Sequence, residues 1–322
     1  MNQSSLQSFL RRNPYLFTLL LLVVAIFFNF QFQDNLFEAN VVNRNMRVLL
    51  PTMLLTVGQA IVIIGGGIDL SVGTMVSMIN AILVTRILPD STSSEIALGF
   101  FLACGTGILA GMFNGLCVAY LRLQPVVTTY ATSFVFSGIA LAILPRPAGQ
   151  IPRPLTDFYR NPQLGIPTAV YIIILLLIFW VLLRSTRYGQ FLFATGSKAN
   201  AAYTTGVPVV RIRFSTYVWS GLFAAFAAIA LTLLSGSGDP RLGDDMTLPT
   251  IVAVVLGGTR LSGGQGGIAG PLMGVAILTV IGNIISFANI DSWYQDLVNA
   301  LIIIIALAGP GIVRLIRRLI GR

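Results

Sequence analysis

The sequence predicts an all-α, polytopic integral membrane protein with about ten transmembrane helices and both termini in the cytoplasm. Three observations lead there. Of 322 residues, 55% are hydrophobic and 10% charged, where a soluble domain carries roughly 25% charged residues. The apolar residues gather into runs close to the about 20 residues that cross roughly 30 Å of hydrocarbon. The charges separate by loop, as they do when Arg and Lys are retained on the cytoplasmic side.

In chain order, residues 1–14 form a polar cytoplasmic tail carrying Arg11 and Arg12. The run 15–30 is an anchor and not a cleaved signal, since bulky and acidic residues follow it where a cleavage site needs small ones. Further spans are expected at 46–64, 68–88, 95–119, 125–144, 168–184, 214–234, 248–259, 267–288 and 294–313. Those starting at Ile68 and Leu248 are short or bounded by glycine, and read as re-entrant or broken helices. The longest connections, 145–167 and 185–213, leave no room for a soluble catalytic domain, so 1–322 is one transmembrane domain. With the N-terminus inside, thirteen of the twenty cations fall in inner loops and ten of the eleven acids in outer ones, Asp69 being the eleventh. The net charge of +9 is then an orientation signal and not a nucleic-acid face. Tyr188, Trp219, Trp293 and Tyr294 fall near the ends of these spans, as interfacial aromatics do.

Composition also excludes chemistry. The chain has no His, which removes imidazole bases, His-ligated metals and His-based triads. Cys104 and Cys117 share one apolar run and stand about 20 Å apart on a helix rising ~1.5 Å per residue, too far for a disulfide within it.

Three segments break the apolar pattern. In Gly65-Gly66-Gly67-Ile68-Asp69-Leu70-Ser71-Val72-Gly73, three glycines permit a close-packed turn, and a carboxylate follows at membrane depth, where it is costly unless it faces a cavity or a partner. Asp69 and Ser71 suit gating or a solute path, and equally suit the capping of a helix starting near Leu70. The second segment runs from Gly257 and Gly258 through Gly263 and Gly264 to Gly267. Its Leu261–Gln265 spells LSGGQ, the signature of ATP-binding cassette ATPases, but the Gly-Lys-Ser/Thr phosphate loop that such a domain requires is missing. Glycines for close helix packing, with Gly266, Gly270 and Gly274 in small-xxx-small steps, explain it better. The third segment is the loop 185–213, rich in cations and free of acids. Lys198 to Thr205 is expected to form a short helix ended by Gly206 and Pro208, and the small Ala199, Ala201 and Ala202 beside Tyr203 suit docking. Within the spans, Gln59, Asn80, Asn114, Thr128, Thr129, Thr132, Ser133 and Asn283 are hydrogen-bonding groups between helices or the lining of a path.

At these segments the chain resembles the permease subunits of ATP-binding cassette importers for ribose, xylose, galactose and related sugars. The matching motifs are GGIDLSVG at Gly66–Gly73, RYG with GSxxxAAxxxGV from Arg187 to Val207, GGTxLxGGxG at Gly257–Gly266, and LQPVVTT at Leu123–Thr129 beside GMFNG at Gly111–Gly115. The likeness runs from about residue 45 to the C-terminus. It departs at Lys198, where the family usually has a small polar residue. The resemblance implies a second permease subunit, identical or different, enclosing one path in the bilayer. It also implies two cytoplasmic ATPase subunits that bind the ATP, so that this chain needs no cofactor, and a soluble binding protein delivering solute at the outer face. Gly196, Lys198, Ala201, Ala202 and Gly206 then become the ATPase contact, and 145–167 and 235–247 the binding-protein face.

Three alternatives remain at this point. A permease of the same plan for branched-chain amino acids or nucleosides would want charged groups in the path for an amino acid. A self-sufficient secondary carrier would want intramembrane acids as ion sites, of which Asp69 is one. A membrane-embedded enzyme would want paired carboxylates, His or a metal cluster.

Overall fold

The computed structural model describes residues 15–289 and scattered positions between 291 and 304. The tail 1–14 and most of the expected span 294–313 lie outside the described residues. The chain is helical almost throughout. The first half holds α1 (Tyr15–Phe32), α2 (Ala39–Ile64), α3 (Val72–Arg86), α4 (Ser93–Gly115) and α5 (Pro125–Ile143). The second holds α6 (Arg153–Arg160), α7 (Thr168–Ser185), α8 (Arg187–Ser197), α9 (Ala199–Thr204), α10 (Val209–Ser235), α11 (Thr247–Leu256) and α12 (Ala269–Phe287). A short antiparallel pair joins β1 (Ala148–Gln150) to β2 (Ser237–Gly238).

Among the described residues six helices are long and apolar enough to cross a membrane: α2, α4 with its following turn, α5, α7, α10 and α12. The apolar stretches of α1 and α3 are shorter, and α11 has only 10 residues. The spans expected at 68–88 and 248–259 are therefore short helices entered through irregular chain. Large apolar side chains face outward along the bundle, Phe101 at 73% exposure and Leu109 at 66% among them, a surface that lipid satisfies and water does not.

Local chemistry sets the boundaries. α4 opens on a capping box, in which Thr92 Oγ1 accepts from the Glu95 N–H while Glu95 Oε2 accepts from the Thr92 N–H at 2.7 Å. It closes through a π-helical turn, Leu116–Tyr120. α5 starts on Pro125, whose missing N–H is no loss at a first helical position.

Two helices pack against α10 at close range, α2 on one side and α4 on the other. Gly107, Gly111 and Gly115 of α4 lie against Gly221, Tyr217 and Phe214 of α10, and a Cβ at Gly107, Gly111 or Gly221 would overlap a backbone carbonyl of the facing helix. With backbones in direct contact, dispersion replaces the hydrophobic drive that lipid removes. Gly107→Val is expected to lower stability by about 3 kcal/mol, the upper range of overpacking costs. Thermal unfolding in detergent measures this, and an unchanged melting temperature would contradict the contact.

One end of the bundle, which collects the acids, is closed by ordered structure where the sequence suggested a loop. Arg160 of α6 donates through Nε and NH2 to the Leu234 carbonyl, the latter at 2.6 Å, placing a cation where the last carbonyls of α10 want one. Tyr159 donates to the Arg47 carbonyl at 2.7 Å, and Asn43 to the Arg160 carbonyl at 2.8 Å. The segment 236–247 does not project outward either. It runs back along α3, with Asp239 N–H on Asn80 Oδ1, Gly243 N–H on Ser77 Oγ, Ser77 Oγ on Asp244, and Gly73 N–H on Thr247 Oγ1, all within 2.7–3.1 Å. Residues 73, 77 and 80 share one helix face, so the chain descends about 10 Å along α3 at ~1.5 Å per residue before α11 starts. Trp219 also differs from expectation. It sits within α10 and packs on Phe179 and Phe223, because α10 begins five residues before the expected span.

Candidate functional site

The three motif segments meet at the end of the bundle opposite α6, the end that collects the basic loops. Both glycine-rich breaks begin as the same helix terminator. After α2, the N–H groups of Gly65, Gly66 and Gly67 donate to Ile61, Ile63 and Val62; after α11, those of Gly257, Gly258 and Thr259 donate to Ala253, Val255 and Val254. In each, the middle glycine takes a left-handed conformation, Gly66 at φ 86° and Gly258 at φ 81°, which ends a helix at little cost only for glycine. The two breaks then touch. Gly264 N–H donates to the Ile64 carbonyl at 2.9 Å, and a Cβ on Gly263 would stand 2.9 Å from Gly66 Cα.

The end of α8 is wedged between them. A Cβ on Gly196 would overlap the Ile64 carbonyl and stand 2.6 Å from the Gly264 nitrogen, while Ser197 Oγ donates to the Gly264 carbonyl at 3.4 Å. Glycine is required here by approach and not by turn geometry. LSGGQ is thus part of a structural turn, folded against α8. Directly beyond, α9 forms as expected, with Thr205 capping it and Gly206 at φ 86°. Ala202 is buried and anchors it, while Lys198, Ala201, Gly206 and Tyr203, the last at 72%, are exposed. α8 was not legible in the sequence; its Thr186 cap on the Gly189 N–H was the available signal.

Asp69 follows the first break and is fully buried. Its Oδ1 accepts from Ser71 N–H at 3.0 Å, Ser71 Oγ at 2.6 Å and Asn114 Nδ2 at 3.5 Å, and its Oδ2 accepts from Ser220 Oγ at 2.9 Å. Asn114 also donates to Ser71 Oγ at 2.7 Å, and Thr129 Oγ1 accepts the Leu70 N–H at 2.9 Å. One carboxylate thereby ties the break before α3 to α4 and α10, with α5 joined through Thr129. Ser71 occupies the cap position of α3 without a side-chain capping bond. Asp69 instead holds the Ser71 N–H, two residues on, in a turn just ahead of the helix.

The remaining sequence candidates separate. Asn80 bonds Thr232 Oγ1 at 2.8 Å and serves the descending loop. Thr128 donates to its own helix at Gln124 O and, with Thr132, lines a separate cavity of about 410 Å³ against Cys117. Ser133 bonds Tyr130 O in its own helix, and Gln59 is buried with neither amide atom partnered. Asn283 faces Asn29 and Asn45 in a third cavity of about 230 Å³ between α1, α2 and α12. Gly73 belongs to the Thr247 contact. Ser220, Ser77 and Thr247 were missed, since a lone hydroxyl in an apolar run carries no signal. Among the described residues no three His, Cys, Asp or Glu side chains gather where they would hold a metal ion.

Comparison with known proteins gives this geometry a context. The profile of the family described as "Branched-chain amino acid transport system / permease component" matches residues 41–307. The ribose import permease protein of Bacillus subtilis (strain 168) is 33% identical over 303 residues, 91% of this chain and 90% of its own. The galactofuranose transporter permease protein of Escherichia coli (strain K12) is 35% identical over 80% of this chain and 75% of its own. The autoinducer 2 import system permease protein of Photorhabdus temperata is 30% identical over 78% and 77%. No solved structure matches the chain. Permease components of this kind are not enzymes, and they work with ATPase and substrate-binding partners. The chain belongs to this family of transport-system permease components, multi-pass inner-membrane subunits of ATP-binding cassette importers.

Proposed function

We propose that this chain is the permease subunit of a sugar importer, passing a monosaccharide of the ribose, xylose or galactose kind across the membrane by alternating access, driven by a partner ATPase that binds the ATP. The single observation that carries this reading is the wedge of α8 between the two breaks. A force applied to α9 acts on Gly196 within a few residues. Gly196 touches the Ile64 carbonyl, and five residues later comes Asp69, the tie between the α3 break and two other helices, α4 and α10. The exposed face of Lys198, Ala201, Tyr203 and Gly206 is the ATPase contact in this reading, and the positive-inside distribution supports placing it in the cytoplasm with both termini. The ordered cap of α6 and the β1–β2 pair then faces the binding protein.

In this reading the path opens beside the polar cluster of Ser71, Asn114 and Thr129 around Asp69, all buried in this conformation, with a second permease copy or a different permease chain enclosing it. Uncharged donors and acceptors suit a sugar. Asp69 already accepts four hydrogen bonds, which leaves little for the ammonium of an amino acid. The relatives named for ribose and galactofuranose support the same cargo class. The test is Ala201→Trp. Ala201 is exposed, so the variant is expected to reach the membrane at normal abundance and to lose both ATPase co-purification and ATP-dependent uptake into vesicles. Normal uptake would remove α9 from the ATPase contact. Ligand identification on the co-purified binding protein names the cargo, and an amino acid there would overturn the sugar reading.

A further inference from the structure

Away from the α9 surface, two arginines line one space. A cavity of about 360 Å³ lies where the first break, the α4–α5 turn and the start of α10 come together. Gly66 and Gly67 form one wall, Arg122 and Gln124 a second, and Arg213 and Tyr217 a third. Among the described residues no carboxylate lines it; Asp69 is turned to Ser71, Asn114 and Ser220. One of its groups is unsatisfied. The Arg213 Nε is buried without a hydrogen-bond partner, while the Tyr217 hydroxyl, in a side chain only 1% exposed, has no partner beyond the Ile68 backbone. That hydroxyl stands against Gly67, where a Cβ would come to 2.5 Å of it. Arg122 reaches the cavity from a left-handed residue, φ 57°, a conformation that costs a non-glycine residue energy.

We propose that this cavity binds a phosphate-type oxyanion, either a free phosphate or phosphate ester, or the phosphate of a lipid headgroup. Guanidinium groups match the geometry of phosphate oxygens, each able to donate two parallel bonds. The phenol and the Gln124 amide add neutral donors. A water molecule or a neutral sugar would supply hydrogen bonds but no charge to balance Arg122 and Arg213, which both line the space. The volume is at the low end for small-molecule sites, and fits a phosphate with a short organic body. The occupant would join the first break to α4, α5 and α10 and stiffen it. Access from the cytoplasm rests on the orientation proposed above; binding itself does not.

The experiment uses the purified full-length permease in maltoside micelles stripped of phospholipid, without ATPase, binding protein or sugar, so its outcome is independent of the transport reading. Inorganic phosphate, against chloride at equal ionic strength, is expected to raise the melting temperature along a saturable curve. Arg213→Gln is expected to raise the half-saturating concentration by about tenfold, the loss of one charge-assisted bond. Arg122→Gln, on an exposed turn, gives the same readout should Arg213→Gln fold poorly. Arg211→Gln, an exposed cation that does not line the cavity, is expected to leave the curve in place. Reconstitution into nanodiscs containing phosphatidylglycerol separates the sources. If lipid is the occupant, the free-phosphate effect disappears and native mass spectrometry finds lipid on the wild type but not on Arg213→Gln. If free phosphate is the occupant, the effect persists. Identical melting in phosphate and chloride together with no Arg213-dependent lipid, or equal weakening by Arg211→Gln, overturns the proposal.

Discussion

Asp69→Leu is expected to abolish uptake and to reduce membrane abundance severalfold, whereas Asp69→Asn is expected to abolish uptake with abundance held within about twofold. The difference follows from who donates to whom. Leucine leaves the Ser71 N–H and hydroxyl and the Ser220 hydroxyl without an acceptor, at about 1–3 kcal/mol for each buried group, and takes from Asn114 the longer of its two bonds. Summed over the cluster, that rivals the about 5–15 kcal/mol by which ordinary proteins stay folded. Asparagine keeps the oxygen that Ser71 uses, and the Ser220 hydroxyl can rotate to accept from the new amide. What it removes is the negative charge at the break. Uptake assays beside quantitative immunoblotting separate the cases: equal losses in Asp69→Asn would assign the carboxylate to structure alone, and normal uptake in Asp69→Leu would remove it from the site.

The second large effect is expected from Gly196→Val. Its branched side chain would occupy the position of the Ile64 carbonyl and crowd the Gly264 nitrogen, whose 2.9 Å bond to Ile64 closes the two breaks onto each other. Overpacking of this kind costs about 1–3 kcal/mol or more, and here it separates α8 from the parts it is proposed to move. The α9 surface is untouched. The variant is therefore expected to bind the ATPase normally, to support ATP hydrolysis, and to import solute more than tenfold more slowly. Ala201→Trp fails earlier, at association. Wild-type uptake by Gly196→Val would show that no force passes through this contact.

Hydropathy made most of the architecture legible, because α2, α4, α5, α7, α10 and α12 are each long enough to span on their own. It failed where polarity and depth part company. The segment 239–247 is polar and was expected outside, yet its backbone finds Asn80 and Ser77, and its Thr247 hydroxyl finds Gly73, along α3; partners 159 to 174 residues away leave no periodic trace. α6 and α8 were missed because neither is apolar enough to register as a span. In the site, the glycine motifs and Asp69 were visible as interruptions of an apolar run. Their meeting point was not, since Gly66, Gly196 and Gly263 lie far apart in the chain and meet only in the fold. Thr128, Asn80 and Asn283 looked equivalent to Asn114 and Thr129 by residue type, and only the direction each faces in its helix separates them.

The glycine seam between α4 and α10 has a mechanical consequence. Two helices in backbone contact have no side chains between them to change rotamer, and so no soft layer in which to slide or tilt. They form a single beam. Asn114 and Ser220, the two side chains that reach across to Asp69, are mounted on opposite halves of that beam, so their spacing is set by backbone packing. In the transport cycle proposed above, a change of conformation would then fall to the two glycine turns, a few backbone torsions in a chain of 322 residues.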